Sequence, residues 1–156
     1  MQRCTTFRNL IGALVLSLLH SVASADSPRE FNDRDLARLL KNHTRGVIYL
    51  WSPHMPYSVQ GASEVQRVAH ELAVESVLLL DPYAESELTD HVLRSQHLPS
   101  SATRRVRADV LANRGATQHF PTAIVFERGR LDVQMLPGYT PPEDLRAYIR
   151  ERLKNF

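Results

Sequence analysis

The stretch Gly46-Val-Ile-Tyr-Leu-Trp-Ser-Pro-His-Met-Pro-Tyr-Ser58 decides the fold of this chain. Its first six residues form an apolar run, which predicts a strand buried on both faces. The two prolines that follow break this run. Apolar residues then recur at three- and four-residue spacing, which predicts a helix: Val59, Ala62, Val65, Ala69 and Leu72. The turn between strand and helix is a candidate site, because a helix N-terminus presents free N–H groups and partial positive charge.

The flanking sequence adds further elements. Before the central strand, Phe31–Asn42 carries a helical apolar stripe with Asn32 or Asp33 as its cap. After the central helix, Ser76–Leu80 predicts a second strand, parallel to the first because a helix connects them. Two helices are predicted next, over Glu85–Gln96 and Thr103–Asn113.

The C-terminal part reads as two strands and a helix. Phe120–Phe126 predicts a strand, Arg128-Gly129-Arg130 a hairpin turn, and Leu131–Leu136 the next strand. The pair Pro141-Pro142, followed by two acids, is typical of a helix N-terminus. The predicted order is α, β, α, β, two helices, β, β, α.

Two segments carry a family resemblance. Residues 51–58, Trp-Ser-Pro-His-Met-Pro-Tyr-Ser, resemble the active-site turn of the thioredoxin superfamily, whose periplasmic members usually read Trp-x-x-x-Cys-Pro-x-Cys. Met55 and Ser58 stand at the two cysteine places. His119-Phe-Pro-Thr122, with the strand and hairpin turn that follow, is similar to the family's cis-proline loop. The resemblance spans about residues 31–153.

The resemblance implies a thioredoxin-like α/β fold. We expect a central mixed four-stranded sheet with helices on both faces, and an extra helical segment before the cis-proline loop. It also implies that the peptide bond preceding Pro121 is cis.

The first 25 residues differ from the rest. Arg3 and Arg8 precede an apolar run, Leu10–Leu19, and Ala23-Ser-Ala25 is a small-residue cleavage pattern. This arrangement predicts a secretory signal peptide over residues 1–25, a thioredoxin-like domain over 26–156, and a periplasmic or secreted location. The apolar run is too short for a stable membrane span, and we expect none after leader cleavage.

Charge gives no indication of a nucleic-acid partner. The chain has 19 basic and 17 acidic side chains, and removal of Arg3 and Arg8 with the leader leaves 17 of each. A near-neutral domain lacks the electrostatic signature of a nucleic-acid-binding protein.

The cysteine count bears most directly on activity. The only cysteine, Cys4, lies in the predicted leader. Disulfide exchange needs a thiolate nucleophile and a second thiol that resolves the mixed disulfide. Met55 has no ionisable proton, and Ser58 lacks an evident base. We therefore predict no dithiol chemistry and no cofactor, and we favour a protein that is not an enzyme.

With dithiol chemistry set aside, the sequence predicts a binding surface for a peptide or an envelope protein. The resemblance places it on the turn and the cis-proline loop, where the family pairs its backbone with extended peptides by β-addition. The candidate residues are Trp51, Pro53, His54, Met55, Tyr57, Ser58, Phe120 and Pro121.

Three alternatives stay open at this point. One is non-thiol catalysis that uses His54, Ser58 or His119. Another is a copper-binding module, because imidazole and thioether ligands suit copper; its candidates are His54, Met55 and His119, with Met135 as a further sulfur. Separately, the arginines at 104, 105 and 107 form either a solvated face or a docking patch for an acidic partner.

Overall fold

A computed structural model describes residues 28–107, 109–112 and 119–156. The predicted signal peptide lies outside these residues. The elements follow in the order β1 (Glu30–Phe31), α1 (Asp33–Asn42), β2 (Arg45–Trp51), α2 (Pro56–Glu71), β3 (Glu75–Leu80), α3 (Ser86–Ser95), β4 (Thr103–Val106), β5 (Thr122–Glu127), β6 (Arg130–Leu131), β7 (Leu136–Pro137) and α4 (Pro142–Lys154). Across these described ranges, no helix is both long enough and apolar enough to span a membrane.

The strands form one mixed sheet with β2 at its centre. The order is β1-β4-β3-β2-β5-β6, and β7 pairs with β5. β2 runs parallel to β3 and antiparallel to β5, so the predicted parallel pairing of the first two long strands is confirmed. The sheet has seven strands rather than the predicted four, because β1 and β4 extend it beyond β3 and the predicted fourth strand is divided into β6 and β7.

Helices cover both faces of this sheet, as predicted. Val47, Tyr49 and Trp51 of β2 point into a core shared with α2 and α4. Ile48 and Leu50 point the other way, into a core shared with α1. Successive side chains of a strand face opposite sides, so a strand covered on both faces reads as a continuous apolar run. Each fully buried side chain of this size contributes about 1.5–3 kcal/mol.

The first helix begins at the predicted cap. The Asn32 side chain accepts hydrogen bonds from the N–H groups of Arg34 and Asp35, at 2.9 and 3.3 Å. The Asp35 carboxylate in turn accepts one from the N–H of Asn32 at 3.2 Å, which completes a capping box. This reciprocal arrangement satisfies N–H groups that a helix N-terminus otherwise leaves free.

The prediction of a helix over Thr103–Asn113 is wrong at its start. Thr103–Val106 is a strand that pairs with β3 and β1, and residues 100–102 form a single 3-10 turn. Val106, Val110 and Leu111 are all buried in the α1-side core. Their spacing therefore identified inward-facing residues correctly but not the backbone conformation. The local spacing of apolar residues carries no information about hydrogen bonds to strands that are distant in sequence, and here those bonds fix the backbone conformation.

The predicted strand over Leu131–Leu136 is also corrected. Only its ends pair with β5, at Arg130–Leu131 and Leu136–Pro137. Between them, the Asp132 N–H donates to the Val125 carbonyl at 2.8 Å, and the chain leaves the ladder over residues 133–135. Asp132 is buried and its carboxylate pairs with Arg152 of α4. This ion pair links the segment between β6 and β7 to α4.

Candidate functional site

The turn between β2 and α2 places Met55 at a helix N-terminus. Met55 is the N-cap residue of α2, with extended backbone and no side-chain capping bond. Its carbonyl accepts hydrogen bonds from the N–H groups of Ser58 and Val59, at 2.9 and 3.1 Å. Pro56 begins the helix, where its missing N–H costs nothing. The Met55 side chain therefore stands beside the positive end of the α2 dipole.

Ser58 serves a structural purpose in this turn. Its side chain is completely buried. The Ser58 Oγ accepts a hydrogen bond from the backbone N–H of Ser52 at 2.9 Å. Since Ser52 is itself buried, this hydroxyl satisfies an N–H that has no access to water. A buried oxygen held in this way is not available to attack a substrate, which argues against Ser58 as a nucleophile.

Replacing Ser58 with alanine is expected to destabilise the protein by about 1–3 kcal/mol, because it leaves the buried Ser52 N–H unpaired. Ser63→Ala is the matched control, on the same helix at a partly exposed position. Chemical denaturation of both variants measures the difference. Equal stability of the two variants would show that the Ser58 hydroxyl does not hold the turn.

The predicted binding residues divide by burial. Trp51, Pro53, Ser58 and Pro121 are buried, so they shape the turn and loop from below. His54, Met55 and Tyr57 are exposed, with 42% of Met55 and 67% of Tyr57 accessible. Phe120 is partly buried against the α1-side core. The outer surface of the turn therefore includes one imidazole, one thioether and one phenol, together with the exposed Pro56 ring.

Tyr139 extends this surface, and sequence analysis did not find it. Its ring lies 5.4 Å from that of Tyr57, tilted by 35°. The Tyr139 hydroxyl donates to Glu64 at 3.1 Å and accepts from Gln60 at 2.8 Å. These bonds join the loop after β7 to the outer side of α2. The signal in the sequence is only an aromatic residue after Pro137-Gly138, which does not indicate proximity to Tyr57.

The loop preceding β5 lies beside the turn. The peptide bond between Phe120 and Pro121 is cis. Thr122 pairs with Leu50, one residue before the end of β2. The Pro121 carbonyl accepts a hydrogen bond from the Gly138 N–H at 2.8 Å. The two segments that carry the family resemblance therefore meet at one end of the sheet.

A buried phenol lies beneath α2. Tyr49 is almost completely buried, and its hydroxyl, like the Trp51 Nε1, has no hydrogen-bond partner among the described residues. Burial raises the pKa of Tyr49, and Glu64 and Tyr139 raise it further. The phenol therefore stays neutral and supplies no base. Gly61 makes room for it, since a Cβ at Gly61 would lie 2.0 Å from the Tyr49 hydroxyl.

The histidine candidates lie in different surroundings. His54 is exposed on the turn, whereas His119 lines a cavity that also includes Met135. His54 and Met55 are not among the residues that line this cavity. Within residues 28–107, 109–112 and 119–156, no three side chains of His, Cys, Asp or Glu are grouped to hold a metal ion.

The three arginines that follow Ala102 have structural partners. The Arg105 guanidinium donates to the carbonyls of Asp81, Pro82 and Ala84, which ties β4 to the loop after β3. Arg104 lies over the Phe31 ring at 5.8 Å, and Arg107 pairs with Asp109. This arrangement favours a structural role over the docking patch.

Comparison with known proteins rests on structure alone. No protein-family model matches the chain, and no curated protein matches its sequence. A thioredoxin-family thiol:disulfide interchange protein of Chlorobium tepidum is similar at a TM-score of 0.59 and 12% identity, over 75% of this chain and 84% of that one.

Two further solved structures are proteins described as secreted or exposed. A secreted disulfide oxidoreductase of Mycobacterium tuberculosis has a TM-score of 0.53 at 16% identity, over 69% of this chain and 81% of that one. An exposed lipoprotein thioredoxin of Streptococcus pneumoniae has a TM-score of 0.54 at 15% identity, over 72% and 89%. The fold is therefore thioredoxin-like. The turn between β2 and α2 carries Met55 and Ser58.

Proposed function

We propose that this chain is an exported, redox-inactive thioredoxin-like protein that binds a peptide or an envelope protein through its turn and cis-proline loop. The observation that carries the proposal is that the Ser58 side chain is buried and hydrogen-bonded. The atom at the second cysteine place is a buried hydroxyl oxygen that accepts a hydrogen bond from the Ser52 N–H. The position has a structural task, while the outer side of the turn stays accessible.

The loss of exchange chemistry follows from the atoms present. A thioether such as that of Met55 cannot form a thiolate, and the only thiol in the sequence is Cys4, in the predicted leader. The proposed exported location is supported by that leader and by the secreted or exposed structural neighbours.

The surface that remains is suited to a peptide. Met55, Tyr57 and Tyr139 present apolar and aromatic area, of the kind that is enriched at protein interfaces. Phe120 leads into the sheet at Pro121, beside this surface. An extended peptide laid along Phe120 would pair with backbone groups, and its side chains would contact the exposed rings.

Partner capture tests the proposal. The tagged protein should retain an envelope protein or peptide that the Tyr57→Ala/Phe120→Ala variant releases, because truncation of aromatic anchors typically costs about 2 kcal/mol or more each. Tyr83→Ala is the matched control, since Tyr83 is 83% exposed but lies in the loop after β3. Equal capture by all three proteins would refute binding at this surface, and turnover of a disulfide substrate by the unmodified chain would refute redox inactivity.

A further inference from the structure

Three side chains on one face of α2 form a stripe beside the Tyr139 ring. Tyr57, Gln60 and Glu64 are spaced three and four residues apart, so they follow one another along the same side of the helix. The Gln60 side chain donates a hydrogen bond to Glu64 Oε1 at 2.9 Å, across one helical turn. Tyr57 and Gln60 are exposed, and Glu64 is half-buried. The stripe is therefore open to a side chain from another part of the chain.

Tyr139 lies along this stripe and contacts all three of its residues. Its ring lies against that of Tyr57, with the centroids 5.4 Å apart. Its hydroxyl donates to Glu64 Oε1 at 3.1 Å and accepts from Gln60 Nε2 at 2.8 Å. The three bonds form a closed cycle that uses both amide hydrogens of Gln60 and the hydroxyl hydrogen of Tyr139. Since Glu64 accepts two of these bonds, its carboxylate fixes where the Tyr139 hydroxyl lies.

The backbone on both sides of Tyr139 is held by other contacts. The Gly138 N–H donates to the Pro121 carbonyl at 2.8 Å, and Pro141 is the N-cap of α4. Loss of the Glu64 carboxylate would therefore leave the path of the chain in place and release only the Tyr139 side chain. The Gly138 contact also places Tyr139 next to the cis-proline loop. Its side chain thus links this loop to the helix that begins at the turn.

The hydrogen bonding of Glu64 is incomplete. Its second carboxylate oxygen, Oε2, is buried and has no hydrogen-bond partner among the described residues. The side chain also makes no ion pair with any residue in the described part of the chain. A buried carboxylate oxygen without a donor is destabilising, because it loses its hydration and gains no replacement. The stability of the fold therefore does not account for a carboxylate at position 64.

We infer that Glu64 is a positioning residue of the proposed peptide-binding surface. Together with Gln60, it holds the Tyr139 ring beside Tyr57, so that the two rings present one aromatic face to a bound peptide. A face that is assembled before binding raises affinity, because the apparent dissociation constant is the intrinsic one divided by the fraction of molecules in the competent conformation. This inference rests on the proposed function and adds how its binding surface is assembled.

Two substitutions of similar shape test this role in the free protein. Glu64→Gln keeps an oxygen that can accept from Tyr139, whereas Glu64→Met keeps the length of the side chain without that acceptor. Nuclear Overhauser effects between the Tyr57 and Tyr139 ring protons should persist in Glu64→Gln and fall to less than about half in Glu64→Met. The urea midpoint of Glu64→Met should be unchanged or higher, since the unpaired Oε2 is lost as well. Gln66→Met, at a half-buried position of the same helix, is the matched control and should keep the ring contacts.

Partner binding should follow the ring contacts. With the envelope extract of the capture experiment as a sub-saturating probe, Glu64→Met should retain about three- to tenfold less partner, and Glu64→Gln should restore most of it. Tyr139→Phe keeps the ring and removes the hydroxyl, so it should resemble Glu64→Met rather than the unmodified protein. Ring contacts and capture that stay unchanged in Glu64→Met would overturn the inference, because packing alone would then hold Tyr139.

The outcomes also separate this inference from the proposed function. Full capture by Glu64→Met despite lost ring contacts, while Tyr57→Ala/Phe120→Ala loses the partner, would refute the positioning role and leave the peptide-binding surface standing. Equal capture by every variant, Tyr57→Ala/Phe120→Ala included, would refute the proposed function itself and with it the role of Glu64 there.

Discussion

Replacing Met55 and Ser58 with cysteine is expected to give this protein thiol–disulfide exchange activity. Position 55 is at the N-terminus of α2 and 42% of its side chain is accessible. Free N–H groups and the helix dipole stabilise a thiolate there, so the pKa of the thiol introduced by Met55→Cys should fall to about 3.5–7.5 from the usual value of about 8.5. Position 58, one turn away, supplies the resolving thiol. Insulin reduction and thiolate absorbance measure the two effects.

The controls isolate the paired thiols. Both the variant and its parent should carry Cys4→Ser, so that the native cysteine contributes nothing. The single variant Met55→Cys should attack oxidised glutathione, release one glutathione thiolate and remain as the mixed disulfide, because no second protein thiol is present to resolve it. A double variant that folds but stays inactive would mean that two thiols at positions 55 and 58 are not sufficient for exchange in this turn.

Replacing Arg152 with alanine is expected to lower the free energy of unfolding by about 3–5 kcal/mol, since it leaves a buried carboxylate without its cation. Asp132 is only 6% exposed, and Arg152 is its ion-pair partner. The same carboxylate accepts a hydrogen bond from the Gln134 N–H at 2.9 Å, so the segment over residues 133–135 should loosen as well. Urea denaturation monitored by Trp51 fluorescence measures the loss.

Arg146→Ala is the matched control, on the same helix. Arg146 pairs with Glu71 at 2.7 Å, but the Glu71 side chain is exposed to solvent. A surface pair of this kind is worth about 0–1 kcal/mol, so this variant should lose little stability. Similar losses in the two variants would show that burial of Asp132 does not determine the cost.

The central elements were predictable because local sequence and tertiary surroundings agree there. Residues 46–51 are apolar at every position after the glycine, and β2 is covered on both faces. Asn32 and Asp35 form a capping box from side chains three residues apart, which no distant contact has to support. β4 was not predictable in this way, because its conformation depends on pairing with β1 and β3.

The candidate site was predictable only in outline. The motif indicated which segments meet, but the burial of Trp51 and Ser58 and the exposure of Tyr57 are properties of the packed structure. Tyr139 joins the surface through contacts with residues more than seventy positions away in sequence, to which no local pattern refers.

By itself, the amino-acid sequence determined what chemistry the side chains at positions 55 and 58 lack. A thioether and a hydroxyl at positions 55 and 58 cannot exchange disulfides in any fold, because no thiolate can form there. Tertiary structure alone decided which partners the polar side chains have. The Ser58 hydroxyl accepts a hydrogen bond from the Ser52 N–H, Arg152 pairs with Asp132, and the Thr122 hydroxyl has no partner among the described residues. The reason is that hydrogen bonding and burial are set by neighbours that the chain brings together only when it folds.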